Sequence, residues 1–194
     1  LFRYAPSYNA ENIKTLLDWS SWTGKAGGFQ GAIEMCNNNG SCRKLDGGVM
    51  CPSFRVTKDE KDSTRGRANS LRLALSGQLG KDALISEKMH DTMKLCVSCK
   101  ACKRECPTGV DMSKMKIEIS SLRANKFGLD LRSKLVAFLP YYAPIASKLA
   151  LIMNLRDKLP GLAKLSEIFL GFTSKRPLPK LSLIHISEPT RPTR

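Results

Sequence analysis

The sequence is short of acidic residues, histidine, aromatics and long apolar runs. Asp and Glu number 17 against 32 Lys and Arg, there are 2 His, and aromatics make up 7%. The few aromatics do not alternate with the basic residues, so no platform exists for stacking bases of a single strand. No apolar run approaches the ~18 residues of a membrane span; the run Leu149 to Met153 is far too short. A charged and then apolar leader is also missing, which argues against a signal peptide. The chain starts at Leu1 rather than Met, which we read as a missing upstream region. Runs of β-type alternation are rare, so a sheet protein is not expected.

What is present suits a globular chain of 194 residues. Hydrophobic residues are 42% and charged residues 25%, a balance that supports a real core. The formal charge of +15 has two readings. It could serve an anionic partner such as nucleic acid, a lipid surface or an acidic protein. It could equally surround an anionic centre: four thiolates on an oxidised four-iron cube leave a net charge of about −2.

Periodicity and breakers indicate an all-α chain with two irregular cysteine loops. Asn9 is placed to cap a short helix through Trp19, with Ile13, Leu16 and Leu17 on one face. A helical turn from Phe29 to Met35 leads into the first cysteine group, and 37–56 reads as loop. An amphipathic helix follows from Arg67 to Leu79, using Leu71, Leu75 and Leu79 and stopped by Gly80. Another runs from Asp82 to Leu95 into the second group. Asp111 looks like the N-cap of a helix that turns Met112, Met115, Ile119 and Leu122 inward. From Leu129 to Phe172 short helical pieces separated by Pro140, Pro144 and Pro160 are expected to pack on their own domain. The final segment, LSLIHISEPTRPTR, lacks periodicity and reads as a non-native or disordered tail.

Seven cysteines stand in two clusters: Cys36, Cys42 and Cys51, then Cys96, Cys99, Cys102 and Cys106. An odd, clustered count fits a disulfide framework badly and metal binding in a reducing, cytoplasmic compartment well. The second cluster is C-x2-C-x2-C-x3-C-P, the run that holds a four-iron cluster. Three cysteines at that spacing on one tight turn can aim three sulfurs at three corners of a cube. The fourth, followed by Pro107, leaves the turn and can reach another centre. Zinc prefers two CxxC pairs with a longer spacer, which this run does not offer.

The first group, Cys36-x5-Cys42-x8-Cys51-Pro52, is less regular. With crossed ligation, Cys51 completes the cube begun by Cys96, Cys99 and Cys102. Cys36, Cys42 and Cys106 then remain for a second centre that is one ligand short. A three-iron cluster, a non-cysteine ligand and no second cluster are all open, as is a role for Cys36 and Cys42 as buried apolar residues. Alternatively Cys106 closes a single cube and Cys51 is spare. His90 reads as a surface residue of a helix rather than a ligand, and Lys94, Lys100, Lys103 and Arg104 surround the cluster loop.

The stretch from EMCNNNGSCRKLDGGVMCPSF to LCVSCKACKRECPTGVDMSKMKIEI resembles the iron–sulfur portion of bacterial FAD-linked dehydrogenases of D-2-hydroxy acids, of the D-2-hydroxyglutarate or D-lactate type. The likeness runs from about Arg3 to Lys180. It implies an α-helical ferredoxin fold, and it implies that Cys96, Cys99, Cys102 and Cys106 match that family's cluster motif. In such proteins flavin and substrate modules precede this region, and a cysteine-rich module follows. Neither lies in this sequence, so no catalytic residue is assigned and FAD belongs to the absent upstream module.

The sequence therefore predicts four parts: 1–28, the tail of an upstream module; 29–128, the iron–sulfur domain; 129–180, a helical extension; 181–194, the tail. The expected role is electron relay through one or two [4Fe-4S] clusters, from that flavin module to an acceptor protein or a quinone pool. The chain would not be catalytic alone. The basic, apolar extension, with Lys134, Lys148, Lys158 and Lys164, also suits peripheral contact with the inner face of the cell membrane. The rival reading is a zinc-stabilised nucleic-acid-binding module using a patch of Arg65, Arg67 and Arg72.

Overall fold

A computed structural model describes residues 10–22, 27–150, 154–159 and 161–178. The described residues are helical and contain no strand, so the all-α reading holds. The chain divides into two units, Leu1–Phe127 and Gly128–Arg194. Asn9 and the final segment lie outside the described residues.

The first unit is assembled from six helices. They are α1 (Gly28–Glu34), α2 (Pro52–Thr57), α3 (Thr64–Leu75), α4 (Glu87–Lys94), α5 (Ala101–Glu105) and α6 (Met112–Phe127). Local chemistry explains their starts. Pro52 occupies the first turn of α2, where its missing N–H is no loss. The Ser63 hydroxyl accepts from the Gly66 amide at 2.9 Å and caps α3. Ser86 caps α4 through the Met89 amide. Asp111 accepts from the Lys114 amide at 3.1 Å, so it caps α6 as its sequence position indicates.

α3 is the central element and touches α1, α4 and α6. Its Ala68, Leu71, Ala74 and Leu75 are buried together with Phe29 and Ile33 of α1 and Met112, Met115 and Ile119 of α6. The helix ends at Leu75, and Leu79 is exposed outside it. Gly66 is where α3 meets the backbone of 60–61. A Cβ there would stand 1.9 Å from the Glu60 carbonyl oxygen. The stretch expected to be one helix from Asp82 instead splits into a short 3-10 turn, Ala83–Ile85, and α4, because the Ser86 cap restarts the chain.

The helix expected up to Trp19 is absent: the described residues 10–19 are irregular. Its amides are taken elsewhere. Leu17 N–H and the Trp19 indole donate to the carboxylate of Glu118, at 3.2 and 3.0 Å, and Leu16 N–H donates to its other oxygen. Glu118 is fully buried. A buried carboxylate that collects three donors outcompetes the weaker pull of local helix formation.

The second unit contains α7 (Leu131–Ala137), α8 (Leu139–Lys148) and α9 (Leu162–Leu170). Pro140 and Pro144 lie inside α8 rather than between helices; the first sits in its opening turn, where proline is tolerated. In the described part of this region α7 touches α8 and α9 touches the 3-10 turn Asn154–Asp157, with Ala146 and Ser147 of α8 buried. α7 and α9 have no buried residue, and Phe138, Ile145, Leu165, Ile168 and Phe169 are exposed. The buried side chain of note is Arg156, which donates to the Ser166 hydroxyl at 2.7 Å and the Thr173 carbonyl at 2.8 Å. Among the described residues no helix is long and apolar enough to cross a membrane.

Candidate metal centre

All seven cysteines are free thiols. Four of them, Cys51, Cys96, Cys99 and Cys102, line one partly open pocket, together with Lys100, Thr64, Arg67, Met112 and Ser113. Cys106 is not among its lining residues. The 96–102 loop bends through two left-handed residues, Ser98 at φ 54° and Lys100 at φ 59°. Side chains other than glycine rarely adopt that conformation, and sites held by their surroundings are where it persists. The bends let three sulfurs spaced three residues apart share one face.

Cys51 reaches the same pocket from the start of α2. Its loop is tied down twice. The Glu105 carboxylate accepts from the amides of Val49 and Met50, each at 2.9 Å. Arg55 donates to the carbonyls of Leu45, Gly47, Gly48 and Met50. Both cysteine groups are thereby clasped, since Glu105 sits between Cys102 and Cys106.

Of the remaining three cysteines, Cys36 interacts with Cys106, and Cys42 with both Cys51 and Cys36. Each group receives the N-terminus of a long helix. The Arg65 amide, in the first turn of α3, donates to the Cys42 sulfur at 3.4 Å. The amides of Met112 and Ser113, opening α6, donate to Cys102. Such amides favour negative sulfur.

Burial nevertheless wins at three sites. It pushes the Cys36, Cys42 and Cys102 thiols up, against the amides of Asn38, Arg65 and Met112 respectively. At Cys106 burial also pushes up, but the Thr108 hydroxyl at 3.2 Å and the amides of Val110, Thr108 and Gly109 outweigh it, so that thiol is lowered.

Among the described residues no three cysteine sulfurs lie mutually within 4.8 Å. The amide donors at the sulfurs suit a centre of negative charge. The group of Glu87, His90 and Asp91 is fully on the surface, and His90 contacts Glu87 rather than any cysteine, in keeping with its reading as a surface residue.

One sequence reading of charge is corrected. Arg67 and Arg72, expected on a nucleic-acid patch, are buried at 0% and 4% exposure. Their guanidinium groups serve interior acceptors. Arg72 donates to the carbonyls of Ile33, Glu34 and Cys36 at the end of α1, and Arg67 to those of Asp62 and Thr92. Lys94, Lys100, Lys103 and Arg104 are exposed, and Lys100 lines the pocket of Cys51, Cys96, Cys99 and Cys102. The sequence reading also passed over Lys116, whose ammonium donates to the Cys96 carbonyl, and Glu105. The place of Glu105 between two cluster-motif cysteines was the one signal available.

Comparison with known proteins agrees with this chemistry. Residues 32–110 match the family model described as a 4Fe-4S dicluster domain. The chain is 28% identical to the D-2-hydroxyglutarate dehydrogenase of Escherichia coli, over 80% of this chain and 18% of that protein. It is 28% identical to the protein of the same name in Haemophilus influenzae, over 79% of this chain and 18% of the relative. For Pseudomonas putida the identity is 26%, over 60% and 15% respectively. The chain thus spans 18% of the length of the first of these relatives. No solved structure matches it.

Proposed function

We propose that this iron–sulfur electron-transfer chain, which carries a 4Fe-4S dicluster domain over residues 32–110 and is homologous to D-2-hydroxyglutarate dehydrogenases, is the relay segment of a longer FAD-linked 2-hydroxy-acid dehydrogenase. When bound, a four-iron cluster supplies one-electron uptake and release. That turns a two-electron flavin oxidation into two single steps toward a carrier protein or the quinone pool.

The observation that carries the reading is the convergence of Cys51, Cys96, Cys99 and Cys102 on one pocket. We assign these four as ligands of one cube. The chain's part is to hold four thiolates, donate amides to them and exclude water behind Cys51 and Cys102. Cys36, Cys42 and Cys106 we assign to a second cluster with three thiolates. The proposed boundaries are an upstream tail at 1–28, an iron–sulfur domain at 29–128, a helical extension at 129–180 and a non-native tail at 181–194. Free thiols and a basic, apolar-faced extension support a cytoplasmic setting at the inner face of the membrane.

The test is anaerobic reconstitution with iron and sulfide, followed by EPR after dithionite reduction. The wild-type chain should carry more than the about four irons of one cube. C51A should lose the cube held by the 96–102 loop, and C106A should keep it. A colourless, EPR-silent protein with stoichiometric zinc would sink the reading. Loss of the cube in C106A with retention in C51A would reverse the ligand assignment. Two of the three arginines that a nucleic-acid patch would use, Arg67 and Arg72, are buried, which favours the electron-transfer reading.

A further inference from the structure

Among the described residues Arg67 is the largest fully buried side chain. It lies on α3 and lines the pocket of Cys51, Cys96, Cys99 and Cys102. Its Nη1 stands 3.7 Å from the Cys51 sulfur and donates to the Asp62 carbonyl at 2.7 Å. Nη2 donates to the Ser53 hydroxyl at 3.1 Å, and Nε to the Thr92 carbonyl at 2.8 Å. Its charge partner is the carboxylate of Asp62, 1% exposed, through one long contact of 3.5 Å.

We propose that Arg67 sets the reduction potential of the cube held by Cys51, Cys96, Cys99 and Cys102, as the one fixed positive charge buried against a ligand sulfur of that pocket among the described residues. The inference rests on the ligand assignment above. Four thiolates around the cube give a charge of about −2 when oxidised and about −3 when reduced. A cation at 3.7 Å from a ligand sulfur therefore stabilises the reduced form more and raises the potential. Burial makes this interaction strong, whereas solvent and salt screen charges on the surface. Lys103 is such a surface charge: its side chain is 62% exposed and 3.8 Å from Asp111. Asp62 meets Arg67 through Nη2, at 3.5 Å, and that long contact leaves the guanidinium's charge incompletely offset.

A purely structural role is the alternative, because the guanidinium also ties α3 to the Ser53 hydroxyl in α2 and the Thr92 carbonyl in α4. A potential separates the two. The full chain and its R67Q, R67K, D62N/R67Q and K103Q variants would be reconstituted anaerobically and titrated electrochemically, with the reduced cluster read by EPR. R67Q should shift the midpoint to more negative potential, R67K should stay nearer the wild type, and K103Q should not move it. The double variant should also shift negative, by less than R67Q. It removes both buried charges, so it folds without an unpaired carboxylate and carries the test if R67Q fails to load. A cluster-bearing R67Q or D62N/R67Q at the wild-type midpoint overturns this inference alone. Equal shifts in R67K and R67Q overturn it too, because charge would then not be the cause. A wild-type chain without an iron–sulfur signal overturns the proposed function and this inference with it.

Discussion

Replacing Glu118 by alanine should release the segment before α1 while leaving the cysteine-bearing core folded. The carboxylate is fully buried and accepts from Leu16 N–H, from Leu17 N–H at 3.2 Å and from the Trp19 indole at 3.0 Å. Hydrogen bonds to a charged acceptor contribute about 1.5–3 kcal/mol each when the partner is left unsatisfied. The two amides are only partly buried and can turn to water, so each loses about 1 kcal/mol. The indole is buried and keeps most of its loss. Against this, deletion returns part of the cost of burying the carboxylate. The balance is about 2–3 kcal/mol for local opening, or about 30- to 140-fold in exchange rate. Native-state hydrogen exchange reads this at the Leu16 and Leu17 amides, with Leu71 of α3 as the internal control. E118Q, which keeps one acceptor oxygen, should fall between alanine and wild type. The indole's share is the coupling between W19F and E118A. Protection of Leu16 and Leu17 within threefold of wild type in E118A would refute the assignment of that segment to the carboxylate.

Two further perturbations act nearer the metal centre. G66A would put a Cβ 1.9 Å from the Glu60 carbonyl oxygen, so the 60–63 backbone must move. We expect a loss of at least about 1–3 kcal/mol in thermal unfolding and lower iron content, and an unchanged melt would contradict the contact. E105A removes the acceptor for the Val49 and Met50 amides. Exchange at those two amides should speed up, and a chelator should strip iron from the pocket faster than from wild type; equal stripping rates would show that the clasp does not hold Cys51 in place.

Much of the site was written in the spacing of its cysteines. Three sulfurs on one turn followed by Cys-Pro leave few geometries, and Asp111 followed by Met112, Met115 and Ile119 is a capped helix with one apolar face. The arginines of α3 could not be read in that way. A count of charges along a helix does not reveal that Asp62 and the carbonyls of Ile33, Glu34 and Thr92 wait for them inside. Residues 10–19 failed for a similar reason. Their apolar spacing permits a helix, but the carboxylate that claims their amides lies about a hundred positions away. In the second unit helical spacing again gave the helices but not their burial, since the described residues of α7 and α9 stay exposed or half-buried.

The four sulfurs of the pocket differ in their access to water: Cys51 and Cys102 are buried, Cys96 is half-buried and Cys99 is exposed. That gradient gives the centre a front and a back. In the proposed relay, current would pass through the Cys99 corner, the most exposed of the four sulfur positions. The same corner is the one that dissolved oxygen reaches first, so damage in air should begin there, with Cys99 oxidised before its buried neighbours.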